Sequence, residues 1–171
     1  LNLFFPTLFF FAHVQRTAHR LNDLNQFSFL LFSSQTFHNH IAWVYPEGND
    51  GEIVSYWQKS NYGLGIFLDN LHPTFHLYSR DKRIKNIFTS KTKLQLNTWN
   101  HVSGSHDRFS GNSTIYVNGT PEFFSGSRLE LQTEYDLWLG SLFKGRLTHI
   151  VIFNTSLSKD QINESLVKQS E

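Results

Sequence analysis

Residues 99–119, WNHVSGSHDRFSGNSTIYVNG, indicate most directly how this chain folds. Two short strand-like runs, 99–106 and 113–117, lie in this stretch and are separated by a segment rich in turn-forming residues. The stretch ends in Asn118-Gly119, which is a strong hairpin signal because both residues tolerate the positive φ of a tight turn. The alternation of strand and turn predicts antiparallel β-structure here.

The same pattern extends over most of the chain. From Gln26 onward, aromatic and β-branched runs alternate with clusters of Gly, Asn, Asp, Ser and Pro, and no long run shows helical periodicity before the C-terminus. Short strands in close succession without intervening helices predict an all-β antiparallel sandwich or barrel. The remaining runs are 26–32, 40–45, 52–57, 63–68, 74–79, 136–139 and 146–153.

The C-terminus departs from the strand pattern. Ser158 to Gln161 form a capping box, with a hydroxyl N-cap and a Gln at the third helical position, and Leu157 and Ile162 occupy the staple positions on either side. Ile162 and Leu166 are four residues apart and share one helical face. We therefore expect a short C-terminal helix that packs on the sandwich.

Composition bounds the class of protein. The chain has 171 residues, of which 39% are hydrophobic and 16% aromatic, so it has enough apolar surface for one folded domain. A formal net charge of +1 gives no global field for a nucleic-acid partner. The absence of Cys excludes a disulfide framework, a thiol nucleophile and a Cys-based zinc site.

The first 20 residues form a distinct segment. The apolar run Leu1–Ala12 is shorter than the about 20 residues that span a bilayer, so no transmembrane segment is predicted. We interpret residues 1–20 as the remnant of a secretory signal or an artefact of the gene model, with an edge strand as a third interpretation, and residues 21–171 as the domain.

Six segments, taken in order, resemble laminin-G-like jelly rolls of the concanavalin A-like lectin/glucanase superfamily, which also includes the pentraxins. The Cys-free composition favours the laminin-G-like side over the pentraxins, which usually carry a disulfide. The resemblance implies a two-sheet antiparallel jelly-roll sandwich that serves for extracellular binding. The matching segments are 37–46 (FHNHIAWVYP), 51–55 (GEIVS), 99–102 (WNHV), 115–119 (IYVNG), 137–147 (LWLG followed by FKGRL) and 153–162 (FNTSLS followed by QI).

The predicted function is therefore a non-catalytic extracellular binding or adhesion module. Its expected ligand is a glycan, for example a sulfated glycosaminoglycan, or a matrix or cell-surface protein. Two alternatives stay open at this point. The first is a glucanase-like glycoside hydrolase, because the superfamily also contains enzymes, and the second is a structural spacer without a ligand of its own.

A cluster of cations is the candidate glycan site. Six of the chain's 15 basic residues fall within a 14-residue stretch that contains one acid. A row of cations suits a polymer of sulfates, since counterion release drives such binding and Arg pairs with oxyanions through two hydrogen bonds. The six residues are Arg80, Lys82, Arg83, Lys85, Lys91 and Lys93.

Two carboxylates support the enzyme alternative. Glu130 and Glu134 are four residues apart and would point to one face of a strand, where their side chains could approach the ~5–5.5 Å of a retaining glycosidase pair. The segment is similar to the Glu-x-Asp-x-Glu strand of jelly-roll glucanases. Gln132 stands in place of the central Asp, and this difference favours ordinary solvent-facing acids.

Metal ligands are sparse in the sequence. Many domains of the family that the chain resembles bind Ca²⁺ through loop oxygens, and Asp69 after the run 63–68 is a candidate ligand. Calcium is therefore the candidate cofactor. His38 and His40 could share a strand face in the way zinc requires, but no third ligand lies nearby. His101 matches a strand histidine of the family, for which we expect a packed, hydrogen-bonded role.

Aromatic residues and sequons complete the candidates. We expect the four Trp residues (Trp43, Trp57, Trp99 and Trp138) to lie in the core, while Tyr56-Trp57 and Tyr62 near a turn could stack on a sugar. Four N-glycosylation sequons, three of them in predicted turns, indicate a secreted context. Their acceptors are Asn112, Asn118, Asn154 and Asn163.

Overall fold

The structure is a computed structural model that describes residues 12–14, 19–20, 37–58, 61–81, 83–131, 136–153, 160 and 162. Within these residues it contains two six-stranded antiparallel sheets. The strands are β1 (Ala12–Val14), β2 (His19–Arg20), β3 (Phe37–Pro46), β4 (Gly51–Gln58), β5 (Asn61–Asp69), β6 (His72–Tyr78), β7 (Lys85–Thr89), β8 (Asn100–Asp107), β9 (Asn112–Val117), β10 (Thr120–Ser125), β11 (Asp136–Leu139) and β12 (Gly145–Phe153).

The two sheets interleave segments from the whole chain. Sheet I has the order β1-β12-β3-β8-β9-β10, and sheet II has the order β2-β11-β4-β5-β6-β7. The predicted all-β sandwich of two antiparallel sheets is confirmed. The first 20 residues contribute two short edge strands, β1 on β12 and β2 on β11, while the domain boundary at residue 20 stays a prediction.

The core lies between the sheets and follows the two-residue period of the strands. Successive side chains of a strand point to opposite faces, so every second residue meets the other sheet. Burying each of these branched or aromatic side chains stabilises the fold by about 1.5–3 kcal/mol. The buried set includes Ala42, Val44, Val102, Ile115 and Leu147 of sheet I and Val54, Leu64, Ile66, Phe75 and Leu77 of sheet II.

The prediction that the tryptophans fill the core is wrong for those whose side chains are described. Trp43 lies between the buried residues Ala42 and Val44 of β3, so its side chain points away from the other sheet. Trp138 alternates in the same way within β11 and is half-buried. Trp99 precedes β8 and is 40% exposed. Aliphatic side chains and Phe75 fill the space between the sheets instead.

The predicted hairpin at Asn118-Gly119 is confirmed. It joins β9 to β10, and both residues have positive φ, 50° for Asn118 and 79° for Gly119. The Asn118 backbone N–H donates to the His101 carbonyl oxygen over 2.9 Å, and the Asn118 Oδ1 accepts from the His101 backbone N–H over 2.8 Å. The turn is therefore tied to the adjacent strand β8 as well as to its own hairpin.

The short C-terminal helix is not confirmed. Of the residues 158–166 on which it was predicted, the structure describes Asp160 and Ile162, both with helical backbone. Ile162 is fully buried, as expected for the apolar face of such a helix. None of the helices in the described part of the chain has the length and apolar character to cross a membrane.

Candidate binding surface

Strand β7 divides the basic run into two groups. Arg80 and Arg83 lie in the turn between β6 and β7, and Lys85 is the first residue of β7. Lys91 and Lys93 follow the opposite end of β7, which lies about 13 Å away at the usual rise of a strand. The five described cations therefore do not form one patch. Lys82 falls outside the described residues.

Hydrogen bonds fix the backbone of the turn that carries the first group. The Ser79 hydroxyl donates to Asp81 Oδ1 over 2.5 Å, and the Arg83 backbone N–H donates to the same oxygen over 3.1 Å. The Ile84 backbone N–H in turn donates to Ser79 Oγ over 3.0 Å. The bond from Ser79, followed by that from Arg83, lowers the pKa of Asp81 below its usual value, so this carboxylate is ionised at neutral pH.

An open pocket of about 330 Å³ lies beside this turn. The Arg80 backbone N–H donates to the Glu130 carbonyl oxygen over 2.7 Å, which brings the segment before β11 against the turn. Ser79 and Ile84 were not among the residues predicted from the sequence, although a hydroxyl just before a turn, as at Ser79, is a recognisable signal. The pocket is lined by Ser79, Arg80, Asp81, Ile84 and Glu130.

The charges around the pocket are mixed. Arg83 Nε lies 3.7 Å from Asp81 Oδ2, and both side chains are largely exposed, so this ion pair contributes little to stability. Asp81 and Glu130 offset part of the positive charge of Arg80 and Arg83, and Lys85 adds a further exposed cation. The surface thus presents donors for anionic groups together with acceptors for hydroxyl groups.

The carboxylate pair of the enzyme alternative is only half described. Glu130 is exposed and lies in an irregular segment that precedes an isolated bridge between Ser79 and Leu131. Glu134 lies outside the described residues, so the predicted shared strand face stays a prediction. Within the described residues, Glu130 lines a pocket together with a different carboxylate, that of Asp81.

The candidate calcium residue lies at another corner of the fold. Asp69 is exposed at the end of β5, and the neighbouring Asn70 backbone N–H donates to Asp50 Oδ1 over 2.7 Å. The described residues contain no group of three or more His, Asp or Glu side chains arranged to hold a metal ion. Calcium binding at Asp69 stays a prediction. His38 and His40 belong to β3, but their side chains are outside the description.

Two candidate aromatic and histidine roles are corrected by the structure. Tyr56 packs against the core, and its burial raises the pKa of its phenol to about 12, so its ring does not form a sugar-stacking surface. His101 is packed as expected, edge-on to Trp43 with ring centroids 5.5 Å apart. Neither ring nitrogen of His101 has a hydrogen-bond partner among the described residues, so the expected hydrogen-bonded role is not found there. The side chains of Trp57 and Tyr62 are not described.

Two of the four sequon acceptors are described. Asn112 is exposed at the start of β9 and accepts a long hydrogen bond of 3.4 Å from Ser125. Asn118 uses its side-chain oxygen to hold His101, so the chain offers Asn112 as the more accessible acceptor. Asn154 and Asn163 lie outside the described residues. Glycosylation at all four positions stays a prediction.

The family of the chain follows from its sequence match. A laminin G domain family model, described as the concanavalin A-like lectin/glucanases superfamily, matches residues 21–163. The chain belongs to this laminin G-like family. The match covers strands β3 to β12 of the sandwich and confirms the resemblance inferred from the six ordered segments.

Two solved structures illustrate the similarity in fold. The laminin G-like chain resembles the binding domain of Paraclostridial Mosquitocidal Protein 1, with 15% identity, a TM-score of 0.63 and coverage of 78% of this chain and 37% of that chain. It also resembles the Ruminococcus gnavus IT-sialidase CBM40 bound to alpha2,3 sialyllactose, with 13% identity, a TM-score of 0.62 and coverage of 76% and 82%. At these identities the likeness shows the fold alone.

A third similar structure is the receptor binding domain of botulinum neurotoxin C/D mosaic serotype, with 17% identity, a TM-score of 0.58 and coverage of 79% of this chain and 37% of that chain. The laminin G-like chain thus spans little more than a third of the two toxin binding domains it resembles. None of the curated proteins compared with the chain matches it significantly.

Proposed function

We propose that this laminin G-like domain is a non-catalytic extracellular binding module that recognises an acidic glycan through the turn between β6 and β7. The observation that carries this proposal is the position of Arg80 in the wall of an open pocket, with the exposed cations Arg83 and Lys85 beside it. The turn is held by Ser79 and Asp81, so these cations project from a fixed backbone.

The chemistry of this turn suits an acidic sugar. A guanidinium group forms paired hydrogen bonds to a carboxylate or sulfate, and these are stronger than bonds between neutral groups. Asp81 and Glu130 are acceptors for the hydroxyl groups that flank such an anion. The structural likeness to a domain described as bound to alpha2,3 sialyllactose, a carboxylate-bearing sugar, supports the same ligand class.

A pair of double variants tests the proposal. Arg83→Ala with Lys85→Ala removes two cations at the turn, and Lys91→Ala with Lys93→Ala removes the same charge beyond the other end of β7. Both pairs are exposed, so both variants should melt like the wild type. We expect the wild type to bind heparin and sialyllactose, the turn variant to lose most of this binding, and the control variant to keep it.

Salt dependence provides the second measurement. Affinity for heparin should fall with the logarithm of salt concentration, and the slope should shrink by about one for each contact cation that is removed. A wild type that binds neither ligand would contradict the proposal and favour a protein partner or a spacer role. If both double variants lost the same affinity, the binding would be explained by nonspecific attraction to the net charge of the protein.

A further inference from the structure

A cluster of aromatic and charged side chains lies on the outer face of sheet I, on a different sheet from the turn proposed above. Tyr45 of β3 is paired directly with Arg146 of β12. Tyr45 lies between two buried residues of β3, and Arg146 directly precedes the buried Leu147, so the two side chains share the outer face. The Arg146 guanidinium carbon lies 3.9 Å from the centre of the Tyr45 ring. Trp99 meets the same ring edge-on, with centroids 5.4 Å apart.

The cluster exposes apolar ring surface together with a balanced pair of charges. Trp99 is 40% exposed. Arg146 Nε lies 3.5 Å from Glu47 Oε1, and about half of each of these two side chains is exposed. We call Glu47, Tyr45, Trp99 and Arg146 the Trp99 platform. Trp, Tyr and Arg are the residue types that most often carry the energy of binding when they are exposed together.

The backbone that presents Trp99 is fixed by a buried amide. Asn100 is 1% exposed, and its Nδ2 donates to the carbonyl oxygens of Gln95 over 2.9 Å and Thr98 over 2.7 Å, while its Oδ1 accepts from the Gln95 backbone N–H over 3.1 Å. The Asn97 backbone N–H donates to the Pro46 carbonyl oxygen over 2.8 Å, which ties this turn to the end of β3. A surface that is ordered before binding loses little entropy when a ligand docks.

We propose that the Trp99 platform is a second glycan-binding site, one that takes an uncharged pyranose ring. The apolar face of the sugar stacks on the exposed ring of Trp99, and its hydroxyl groups pair with Arg146 as donor and Glu47 as acceptor. Because Arg146 pairs with Glu47, the four residues of the platform carry no net charge, which suits a neutral sugar. The site does not depend on the turn that is proposed to bind acidic glycans.

Ligand-observed saturation-transfer NMR with a panel of neutral oligosaccharides, namely cellotetraose, mannotetraose and lactose, tests this site. Trp99→Ala should weaken binding of the recognised sugar by about tenfold or more, which is the loss typical of a central aromatic contact. Trp99→Phe keeps a stacking ring and should retain most of the affinity. Phe123→Ala, which removes a 77% exposed ring from β10, is the matched control and should have no effect.

Two further variants separate this site from the turn between β6 and β7. Arg83→Ala with Lys85→Ala should leave neutral-sugar binding unchanged, and that binding should not vary between about 50 and 200 mM salt. Glu47→Ala removes an exposed acceptor without touching the ring stack, so it should weaken binding in a protein that melts like the wild type.

Three results would overturn the proposal. In the first, the wild type binds none of the neutral oligosaccharides. In the second, Trp99→Ala binds them as well as the wild type, or Phe123→Ala loses as much affinity as Trp99→Ala. In the third, neutral-sugar binding disappears in the variant of the β6–β7 turn, which would place both ligand classes at one site.

Discussion

Glu122 on β10 of sheet I accepts a hydrogen bond of 2.6 Å from the hydroxyl of Ser90, which directly follows β7 of sheet II. The same carboxylate accepts from the backbone N–H groups of Lys91 over 2.8 Å and Thr92 over 3.1 Å. Glu122 thus joins the edge strands of the two sheets. Partial burial acts to raise the pKa of Glu122, but these hydrogen bonds outweigh it, so the pKa lies below its usual value.

Glu122→Ala should therefore destabilise the sandwich. Hydrogen bonds to a charged group contribute about 1.5–3 kcal/mol each, so we expect the free energy of unfolding to fall by about 2 kcal/mol or more in urea denaturation. Glu47→Ala, which breaks an exposed ion pair, is the control and should change the free energy of unfolding by less than about 1 kcal/mol. Equal changes in the free energy of unfolding for the two variants would show that the hydrogen bonds of Glu122 between the sheets do not stabilise the fold.

The contribution of Glu122 should also depend on pH. Because the folded-state pKa is lowered, this contribution is present above its usual pKa of 4.5 and is lost as the pH falls through the lower folded value.

Two histidines of β8 make the fold sensitive to mild acid. His101 and His106 are fully buried, and desolvation lowers the pKa of each to about 4. His106 Nδ1 lies 2.9 Å from the Ser113 hydroxyl oxygen, and the charge of Asp107 together with a backbone hydrogen bond at Asn112 offsets only part of the effect of burial on its pKa. Between about pH 4 and 6.5, both rings are therefore neutral in the folded protein but take up a proton when the chain unfolds.

The free energy of unfolding should fall as the pH drops from about 6.5 towards 4, by up to about 3 kcal/mol for each histidine. The loss begins at the pKa of the unfolded chain and ends at the lowered pKa of the folded state. His101→Leu should reduce this dependence. It should not destabilise the protein at neutral pH, because it removes a buried polar ring that has no hydrogen-bond partner among the described residues. Urea denaturation at several pH values measures both effects. A pH dependence unchanged by His101→Leu would show that His101 does not titrate in this way.

Local signals in the sequence located most of the long strands that the structure describes, but they missed β7 and β10 and did not show which face of each strand is buried. Asn118-Gly119 specifies its turn through backbone conformation alone, and the alternation in 113–117 is likewise a local property, so this hairpin could be predicted. The position of Trp43 depends on which face of β3 meets the other sheet. Both neighbours of Trp43 are small or branched and equally able to fill a core, so the pattern alone did not select the face.

The candidate site could also be predicted only in part, because some of its residues are far apart in the sequence. The sequence identified Arg80, Arg83 and Lys85, because clustered charge is visible along the chain. It did not reveal that a strand separates them from Lys91 and Lys93, nor that Glu130 meets Arg80, because these relationships arise when distant segments pair. The balanced charges of the pocket are therefore a property of the fold.

Asn100→Ala should loosen the turn that presents Trp99. The substitution leaves the Gln95 and Thr98 backbone groups without the amide that they bind in the wild type, and such losses cost about 1–3 kcal/mol when the groups are buried. We expect a lower free energy of unfolding and faster amide hydrogen exchange at residues 95–98, measured by NMR. Thr98→Ala removes only an exposed hydroxyl and should change neither. Unchanged exchange in Asn100→Ala would show that the turn is held by other contacts.

The wild-type protein should hydrolyse no polysaccharide. Retaining and inverting glycosidases need a carboxylic acid whose pKa is raised so that it can donate a proton, together with a second carboxylate. The carboxylate that shares a pocket with Glu130 is Asp81, and hydrogen bonds from Ser79 and Arg83 lower its pKa, which is the wrong direction for a general acid. We expect no release of reducing sugar from β-glucans, xylan or glycosaminoglycans. Hydrolysis that is abolished by Glu130→Gln or Glu134→Gln, but kept by Asp81→Asn, would restore the glucanase-like alternative and require a pairing of these two glutamates.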